Sequence, residues 1–273
     1  MLLMQCITHL HAGSDSAGIG IIDKLVQRDP TTGFPCVHAS SMKGAVKQFA
    51  SMQDSVKLNL ISLFGSDTAQ NRGANGGERN MQQGGLAFLP ARLLAYPAQG
   101  EKQPYFLVTC PYILHEWADE MKLLSGTEPE LTKHVRQVAK QVKSMYGLEP
   151  GDTGRMGGMS FDPCSEESKK AFEAVFDALL EGFAVISNEE FINLTDDFNL
   201  PVVARNALDD GQSMNLWYEQ LVPRRSVFWT SFLPVAIEDE DVNCLVDVLV
   251  KNGPVQVGAN ASVGMGFVKF ARL

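Results

Sequence analysis

The order of strand-like and helix-like segments constrains the fold of this 273-residue chain more than any other feature. An apolar run of strand length, Leu2 to Leu10, precedes a helix that we predict from a Ser40-Ser41 cap to about Ser51. Two strands, a second helix and a final strand follow, separated by insertions. This succession fits an α+β fold of the ferredoxin-like kind, and periodicity alone leaves a doubly wound α/β fold as a rival.

The remaining elements follow from apolar periodicity and turn residues. Strands are predicted over 86–96, 105–110, 183–186 and 226–236, the first of them interrupted at Pro90. Helices are predicted over 111–146, 165–181, 188–194 and 238–251. Asp209-Asp210-Gly211 predicts the turn of a long hairpin within 201–218. Residues 254–273 are typical of a strand, a Gly-rich loop and a second strand. The polar segment 65–85 is typical of a mobile loop.

Composition excludes several classes of protein. Apolar residues make up 45% of the chain and charged residues 20%, which is ordinary for a soluble globular protein. No apolar run reaches the roughly 18 residues of a membrane helix, so we expect no membrane partner. The cysteines are widely spaced and form no CxxC pair, which argues against a zinc site and suits a reducing cytoplasm.

The formal net charge of −9 argues against a free nucleic-acid binder, because such proteins usually present a basic face. An acidic total can coexist with a local basic groove, so charge alone does not exclude RNA. The sequence contains no GxxxxGK[ST] element, and a nucleotide hydrolase or a doubly wound small-molecule enzyme therefore has little support.

Residues 9–44 contain the strongest candidate for a functional loop. A segment rich in Gly, Ser and Asp follows the first strand and leads to Asp23, a lone carboxylate near Ile21, Ile22 and Leu25. Packing gives no reason for a carboxylate there, and loops on a rigid scaffold commonly carry chemistry. From the residues alone, the alternative is a carboxylate that caps its own turn.

Several short motifs follow one another in a defined order. They are Leu10-His11-Ala12-Gly13-Ser14, Ile22-Asp23, Val26-Gln27-Arg28-Asp29, Thr32-Gly33-Phe34-Pro35, Ser40-Ser41-Met42-Lys43-Gly44-Ala45, Leu216-Trp217-Tyr218-Glu219 and the Gly-rich run Gly258 to Gly266. In this order they resemble the RAMP superfamily of CRISPR effector proteins. The chain is most similar to the repeated backbone subunit of type III-B (Cmr) complexes.

The resemblance implies both an architecture and a function. It implies one RRM-like domain over 1–273, with a helical insertion over 111–182 and a projecting β-hairpin thumb over 195–225. It also implies a metal-dependent endoribonuclease that is active within an assembled complex. Its partners would be CRISPR RNA, complementary target RNA, further copies of itself in a helical filament, and other type III effector subunits. The alternative is a filament subunit that binds guide RNA without cutting.

Catalytic candidates follow from the motif positions. Asp23 matches the family aspartate associated with metal-dependent RNA cleavage, so the resemblance implies that it is catalytic and binds a divalent ion, Mg²⁺ or Mn²⁺. His11 would contact the RNA backbone or assist proton transfer, with a structural histidine as the alternative. Glu219 is a further residue to test. Pro90 stands where the family often has an aspartate, so cleavage rests more heavily on Asp23.

The RNA-binding candidates fall into three groups. Lys43 lies near a predicted helix start, a good phosphate site, and the other cationic candidates are Arg28, Arg92 and Arg205. Glycines allow backbone N–H groups to approach phosphate, and the candidates are Gly258, Gly264 and Gly266. Met214 and Trp217 are candidates to wedge between bases. The alternatives are solvated surface charges, a simple turn, and side chains that anchor the hairpin to the core.

Overall fold

The computed structural model describes residues 1–15, 18–53, 58–66, 82–100, 104–140, 144–146, 154–156, 159–163, 170–171, 173 and 183–273. Its helices within these ranges are α1 Ala39–Ser51, α2 Leu60–Phe64, α3 Pro111–Ser125, α4 Glu130–Ala139, α5 Asn188–Leu194 and α6 Asp239–Lys251. Its strands are β1 Leu2–Cys6, β2 Cys36–Val37, β3 Leu86–Phe88, β4 Ala91–Gln99, β5 Tyr105–Thr109, β6 Ser144–Tyr146, β7 Gly154–Met156, β8 Met159–Pro163, β9 Phe183–Val185, β10 Val202–Asp209, β11 Gln212–Gln220, β12 Val227–Thr230, β13 Phe232–Pro234, β14 Val255–Gln256 and β15 Phe267–Arg272.

Four strands form the centre of the main sheet, in the order β15, β1, β12, β4, and each neighbouring pair is antiparallel. In the register, Leu3 of β1 lies opposite Trp229 on one side and Ala271 on the other. Strand β5 continues the sheet antiparallel to β4, and β9 then runs parallel to β5. The chain is therefore a mixed α/β protein built on an antiparallel central sheet.

Both faces of this sheet are covered, because every residue of β1 and β12 is buried. Helix α3 lies on the face that carries Trp229, whose indole Nε1 donates a hydrogen bond to Glu120 of α3 at 3.0 Å. Helices α1 and α6 contact each other and the strands β14 and β15. Each fully buried apolar side chain in these layers stabilises the fold by about 1.5–3 kcal/mol. Among the described residues, no helix has the length and apolar character needed to cross a membrane.

Local signals explain the elements that the sequence predicts well. Helix α5 matches its predicted bounds, because Ser187 accepts from the backbone N–H of Glu190, whose carboxylate accepts from Ser187 in turn. Helix α6 follows its acidic first turn and ends at Asn252-Gly253, as predicted. The interruption at Pro90 is confirmed: β3 pairs with β13, whereas β4 joins the main sheet.

Other predicted elements are wrong in their bounds. Helix α1 begins at Ala39, after an N-cap at His38 that makes no side-chain cap, so Ser40 and Ser41 lie in its first turn. The helix predicted over 111–146 ends at Ser125, because Gly126 adopts a left-handed conformation. Residues 144–146 form a strand that pairs with β9, so the segment 111–182 is not wholly helical.

Two predicted segments fall largely outside the described residues, the loop over 65–85 and the helix over 165–181. Helical conformation is described there at residues 170, 171 and 173. The proposed boundaries of one domain over 1–273, an insertion over 111–182 and a thumb over 195–225 stay predictions.

Strands β10 and β11 form a separate two-stranded hairpin. Its turn residues Asp210 and Gly211 have φ values of 47° and 81°, which is the pair of positive angles that a tight two-residue hairpin turn requires. Burial along β11 rises from exposed side chains near the turn to buried ones at Glu219 and Gln220. The hairpin therefore has an exposed outer part and a base that is packed into the protein.

Candidate functional site

Asp23 lies in a loop that pairs with β11 at the base of the hairpin. The N–H groups of Asp23 and Lys24 donate to the carbonyl oxygen of Tyr218 at 3.0 and 3.1 Å. The N–H of Tyr218 donates in return to Oδ2 of Asp23 at 2.8 Å. The side chain of Asp23 is nevertheless exposed. The carboxylate is thus held by a strand about two hundred positions away, and its second oxygen remains available to solvent or a ligand.

Backbone hydrogen bonds and a close approach at Gly18 shape the turn before Asp23. Ile19 and Ile22 exchange two backbone hydrogen bonds of 3.0 Å around a turn in which Gly20 has a φ of 59°. At Gly18, a Cβ would overlap the carbonyl oxygen of Ile22 and lie 3.1 Å from Cα of Asp23. A side chain at position 18 would therefore displace the carboxylate.

Glu219 is only 1% exposed and contacts three segments beside this loop. Its carboxylate accepts from Nε1 of Trp217 at 2.6 Å, from Nδ2 of Asn260 at 2.7 Å and from Nζ of Lys24 at 3.2 Å. Nε of Arg205 lies 3.5 Å away. Burial acts to raise the pKa of Glu219, but the hydrogen bonds from Trp217 and Lys24 and the positive charge nearby outweigh it, and the net pKa is lowered. The ionised group therefore ties the hairpin to the Asp23 loop and to the Gly-rich loop.

His11 is buried against the hairpin base at 3% exposure. Its Nδ1 lies 2.7 Å from the carbonyl oxygen of Gln220. A carbonyl oxygen can only accept, so Nδ1 carries the proton, and Nε2 is directed toward Gly13. The structure thus places His11 inside the site, where its side chain holds the backbone of the hairpin at Gln220. A direct part in proton transfer stays a prediction.

The Gly-rich loop packs on the segment that contains His11. The N–H of Ala259 donates to the carbonyl oxygen of His11, and the N–H of Gly266 donates to that of His9, both at 2.8 Å. A Cβ at Gly258 would overlap the carbonyl oxygen of His11, and one at Gly266 would overlap that of Val257. Gly264 has open space around it at a φ of 79°. Two of the three glycines are therefore needed for close backbone packing, and phosphate contact at all three stays a prediction.

Lys43 is half-buried near the start of α1, one turn after its first residue. A groove of about 910 Å³ separates α1 from the Gly-rich loop, and its lining includes Ser41, Gly44, Phe49 and Gly258. Lys43 does not line this groove. Its assignment to RNA stays a prediction.

The three arginine candidates all contact protein acceptors. Arg28 donates to Oδ1 of Asp197 at 2.7 Å and to two backbone carbonyl groups. Arg92 donates to Glu120 at 3.1 Å, on the face covered by α3, and Arg205 pairs with Glu219. In this conformation their charges are already engaged, so RNA binding by any of them requires these pairs to be shared or exchanged.

The two hairpin candidates have different environments. Met214 is 67% exposed near the turn, where it is free to contact a partner. Trp217 is held at the base, with its indole N–H on Glu219 and Nζ of Lys24 5.0 Å from its ring centroid. These contacts are those expected of an anchor, whereas insertion between bases stays a prediction for both residues.

A metal site in this region would rest on Asp23. Within the described ranges, no group of three or more His, Cys, Asp and Glu side chains is placed to hold a metal ion. Magnesium commonly binds through one or two carboxylates, with water and phosphate oxygens as the other ligands. The free oxygen of Asp23 fits such a site if RNA supplies the remaining ligands.

Sequence reasoning missed several residues of this site, namely Gly18, Gln27, Gln220 and Asn260. Gln27 is buried, accepts from the N–H of His38 at 2.7 Å, and donates to Gly13 and Ser41 at 3.0 Å. Its place in the Val26-Gln27-Arg28-Asp29 motif was a usable signal. Gln220 and Asn260 carried no such signal, because their partners lie far away in the sequence.

The sequence profile of the RAMP superfamily matches residues 3–269, nearly the whole chain. This chain belongs to the RAMP superfamily. Among curated proteins, the CRISPR system Cmr endoribonuclease Cmr4 of Pyrococcus furiosus is 27% identical over 293 residues, covering 97% of this chain and 92% of the relative. The CMR subunit Cmr4 of Saccharolobus solfataricus is 23% identical, covering 97% of this chain and 94% of the relative.

Solved structures share the fold. A chain of the type III-B Cmr-beta complex bound to cognate target RNA aligns with a TM-score of 0.73 and 22% identity, covering 98% of this chain and 95% of that chain. Oligomeric Cmr4 from Pyrococcus furiosus aligns with a TM-score of 0.63 and 19% identity, covering 99% and 95%. These structures show the shared fold, and together with the RAMP profile and the two curated relatives they confirm the resemblance of this RAMP protein to the type III-B subunit.

Proposed function

We propose that this RAMP protein is the repeated backbone subunit of a type III-B CRISPR effector complex and that it cuts target RNA paired to a guide. One observation carries the proposal. The exposed Asp23 carboxylate is fixed by the N–H of Tyr218 at the base of a hairpin whose outer part is exposed. The name of the P. furiosus relative, an endoribonuclease, supports the same activity.

The finer description of the fold belongs to this proposal. The order β15, β1, β12, β4, with α1 and α6 in the connections, supports a ferredoxin-like or RRM-like core. The separate hairpin of β10 and β11 would be the thumb. In this arrangement the thumb reaches the guide–target duplex and displaces a base, which exposes the linkage beside Asp23.

The proposed partners are CRISPR RNA, complementary target RNA, further copies of this chain and other type III subunits. Base pairing would read the sequence, and the protein would hold backbone and shape. With a net charge of −9, a single copy should bind RNA weakly, whereas a row of copies should bind it cooperatively and with salt sensitivity. We place the complex in the reducing cytoplasm, which the free thiols of Cys6, Cys36, Cys110 and Cys244 support.

The chemistry would be transfer within the target strand. The ribose 2′-oxygen attacks the adjacent phosphorus, its P–O bond forms, and the bond to the 5′-oxygen of the next nucleotide breaks. The 2′-hydroxyl proton leaves and the departing 5′-oxygen gains one, which gives a 2′,3′-cyclic phosphate and a 5′-hydroxyl. Asp23 would accept the first proton or hold a divalent cation, Mg²⁺ or Mn²⁺, whose charge stabilises the phosphate oxygens. The rigid loop keeps Asp23 in place for in-line attack.

A target with one 2′-deoxynucleotide at a single cut site tests this chemistry. Assembled complexes should lose that cut and keep the others, because only that linkage lacks its nucleophile. The remaining 5′ fragments should end in 2′,3′-cyclic phosphate, and EDTA should stop cutting until Mg²⁺ is added back. Continued cutting at the deoxy site would show that water attacks instead and would refute the proposed reaction.

A filament subunit without nuclease activity is the second candidate. Pro90 favours it, because a proline between β3 and β4 stands where relatives often have an acid. Complexes that retain uniform guide RNA and bind target, yet produce no cuts with Mg²⁺ or Mn²⁺, would establish this candidate.

A further inference from the structure

Gln220 connects four segments of the chain from a fully buried position at the end of β11. Its side-chain oxygen accepts from the N–H of Val26 at 3.0 Å, and Nε2 donates to the carbonyl oxygen and to Oδ1 of Asp197 at 2.9 and 3.2 Å. Its backbone N–H donates to Lys24 at 2.9 Å, and its carbonyl oxygen accepts from His11 at 2.7 Å. Every polar group of Gln220 therefore has a partner outside its own strand.

Two of these contacts are made by residues that follow the catalytic candidate closely in the chain. Lys24 follows Asp23 directly, and Val26 comes two residues later. Without the Gln220 amide, the buried N–H of Val26 would lose its acceptor, and a buried N–H without a partner is unfavourable. The loop would then relax toward another acceptor or toward water and would carry Asp23 with it.

We propose that Gln220 is a positioning residue for cleavage: its buried amide ties the Asp23 loop to the hairpin, so that the carboxylate moves together with the thumb. This inference rests on the proposed function. Asp197 completes the connection, because the same Oδ1 that receives Nε2 of Gln220 also receives Nε of Arg28 at 2.7 Å. Arg28 and Asp197 would thus act as supports for Gln220.

The first test is Gln220→Leu, which keeps a similar volume and removes the amide. In complexes with equal guide content and saturating target, we expect a single-turnover cutting rate about 100-fold below the parent, since a displacement near 1 Å has that order of effect. Target affinity should stay unchanged. The control is Thr230→Val on β12, which removes the hydrogen bond of a buried side chain to Leu89 at 2.9 Å, in the main sheet and outside the hairpin. It should lose stability without losing rate.

The second test exchanges the donor and the acceptor between the side chains of Gln220 and Asp197. Gln220→Glu alone places a carboxylate against Asp197 and should cut slowly. In the double variant with Asp197→Asn, one Glu oxygen can still accept from Val26, the other can accept from the new amide, and the total charge is unchanged. Only part of the cutting rate should return, because the backbone carbonyl oxygen of residue 197, which accepts from Nε2 of Gln220 at 2.9 Å in the parent, is left without this donor. The amide oxygen at position 197 can still accept from Arg28, so that contact is kept.

The outcomes separate this inference from the proposed function. If the parent complex binds target and makes no cuts, the proposed function fails; if Asp23→Asn retains parental cutting, Asp23 has no part in the reaction and the positioning role fails with it. If Asp23→Asn stops cutting but Gln220→Leu cuts like the parent, only the positioning role fails. If Gln220→Leu does not assemble, the exchange decides: recovery of thermal stability without recovery of rate refutes the positioning role, and recovery of both supports it.

Discussion

The hairpin has two parts with opposite properties, a base (residues 202–205 and 217–220) and an arm (residues 206–216). In the base, Glu219 and Gln220 are buried and contact three loops. In the arm, Met214 is 67% and Leu216 53% exposed. An isolated two-stranded hairpin is only marginally stable in water, so the arm depends on the base for its order. The base therefore determines where Asp23 lies, and the arm is free to meet a partner.

The largest expected effect comes from breaking the base at Glu219. Glu219→Ala leaves Lys24, Arg205, Trp217 and Asn260 without their shared acceptor, and we expect it to lower the free energy of unfolding by about 3 kcal/mol. Urea denaturation measures this loss. The control is Asp209→Ala, an exposed carboxylate on the same hairpin, which should unfold like the parent. Equal midpoints for both variants would mean that the base does not stabilise the hairpin.

Two glycines of the Gly-rich loop test whether close packing on His11 supports the base. Gly258 and Gly264 have φ values of 81° and 79°, so alanine at either costs about 1 kcal/mol for the left-handed backbone. Gly258→Ala must also displace the His11 carbonyl group, and we expect a total loss of about 2 kcal/mol or more. Gly264→Asp should fold like Gly264→Ala but retain less guide RNA. Equal unfolding midpoints for the two alanine variants would contradict the packing argument.

Acid titration should reveal the ionised state of Glu219. Its pKa is lowered in the folded protein, so it stabilises the fold above the unfolded value of 4.5, and this contribution is lost as the pH falls through the folded pKa. The stability difference between the parent and Glu219→Gln should therefore be constant from pH 7 to about 5.5 and shrink below 4.5. Urea midpoints across this range measure it. A difference that grows on acidification would show that the folded pKa is raised.

The smallest effect on stability is expected in the arm. Met214→Ser should change the free energy of unfolding by no more than about 0.5 kcal/mol, because the side chain is exposed. If the arm contacts the guide–target duplex, the same variant should cut target more slowly at unchanged guide content. A clear loss of thermal stability would instead show that Met214 packs against the protein.

The contrast between the base and the arm also explains which features of the hairpin could be predicted from the sequence. The arm follows from local signals: alternating strands and the turn at Asp210-Gly211. The base does not, since Asp23 and Tyr218 are 195 residues apart and no local pattern pairs them. The family resemblance supplied Asp23 and His11 as candidates, but it did not indicate that Gln220 holds both of their segments. For the same reason, residues 144–146 were expected in a helix, although pairing with β9 makes them a strand.

The most direct test of the account is the cutting rate of Asp23→Asn. The amide oxygen can still accept from the N–H of Tyr218, so the loop should keep its place while the charge is lost. The control is Asp15→Asn, an exposed carboxylate earlier in the same loop. In single-turnover assays with equal guide and target occupancy, we predict that Asp23→Asn cuts about 1000-fold more slowly at every site and that Asp15→Asn cuts like the parent. Parental cutting by Asp23→Asn would contradict the central claim.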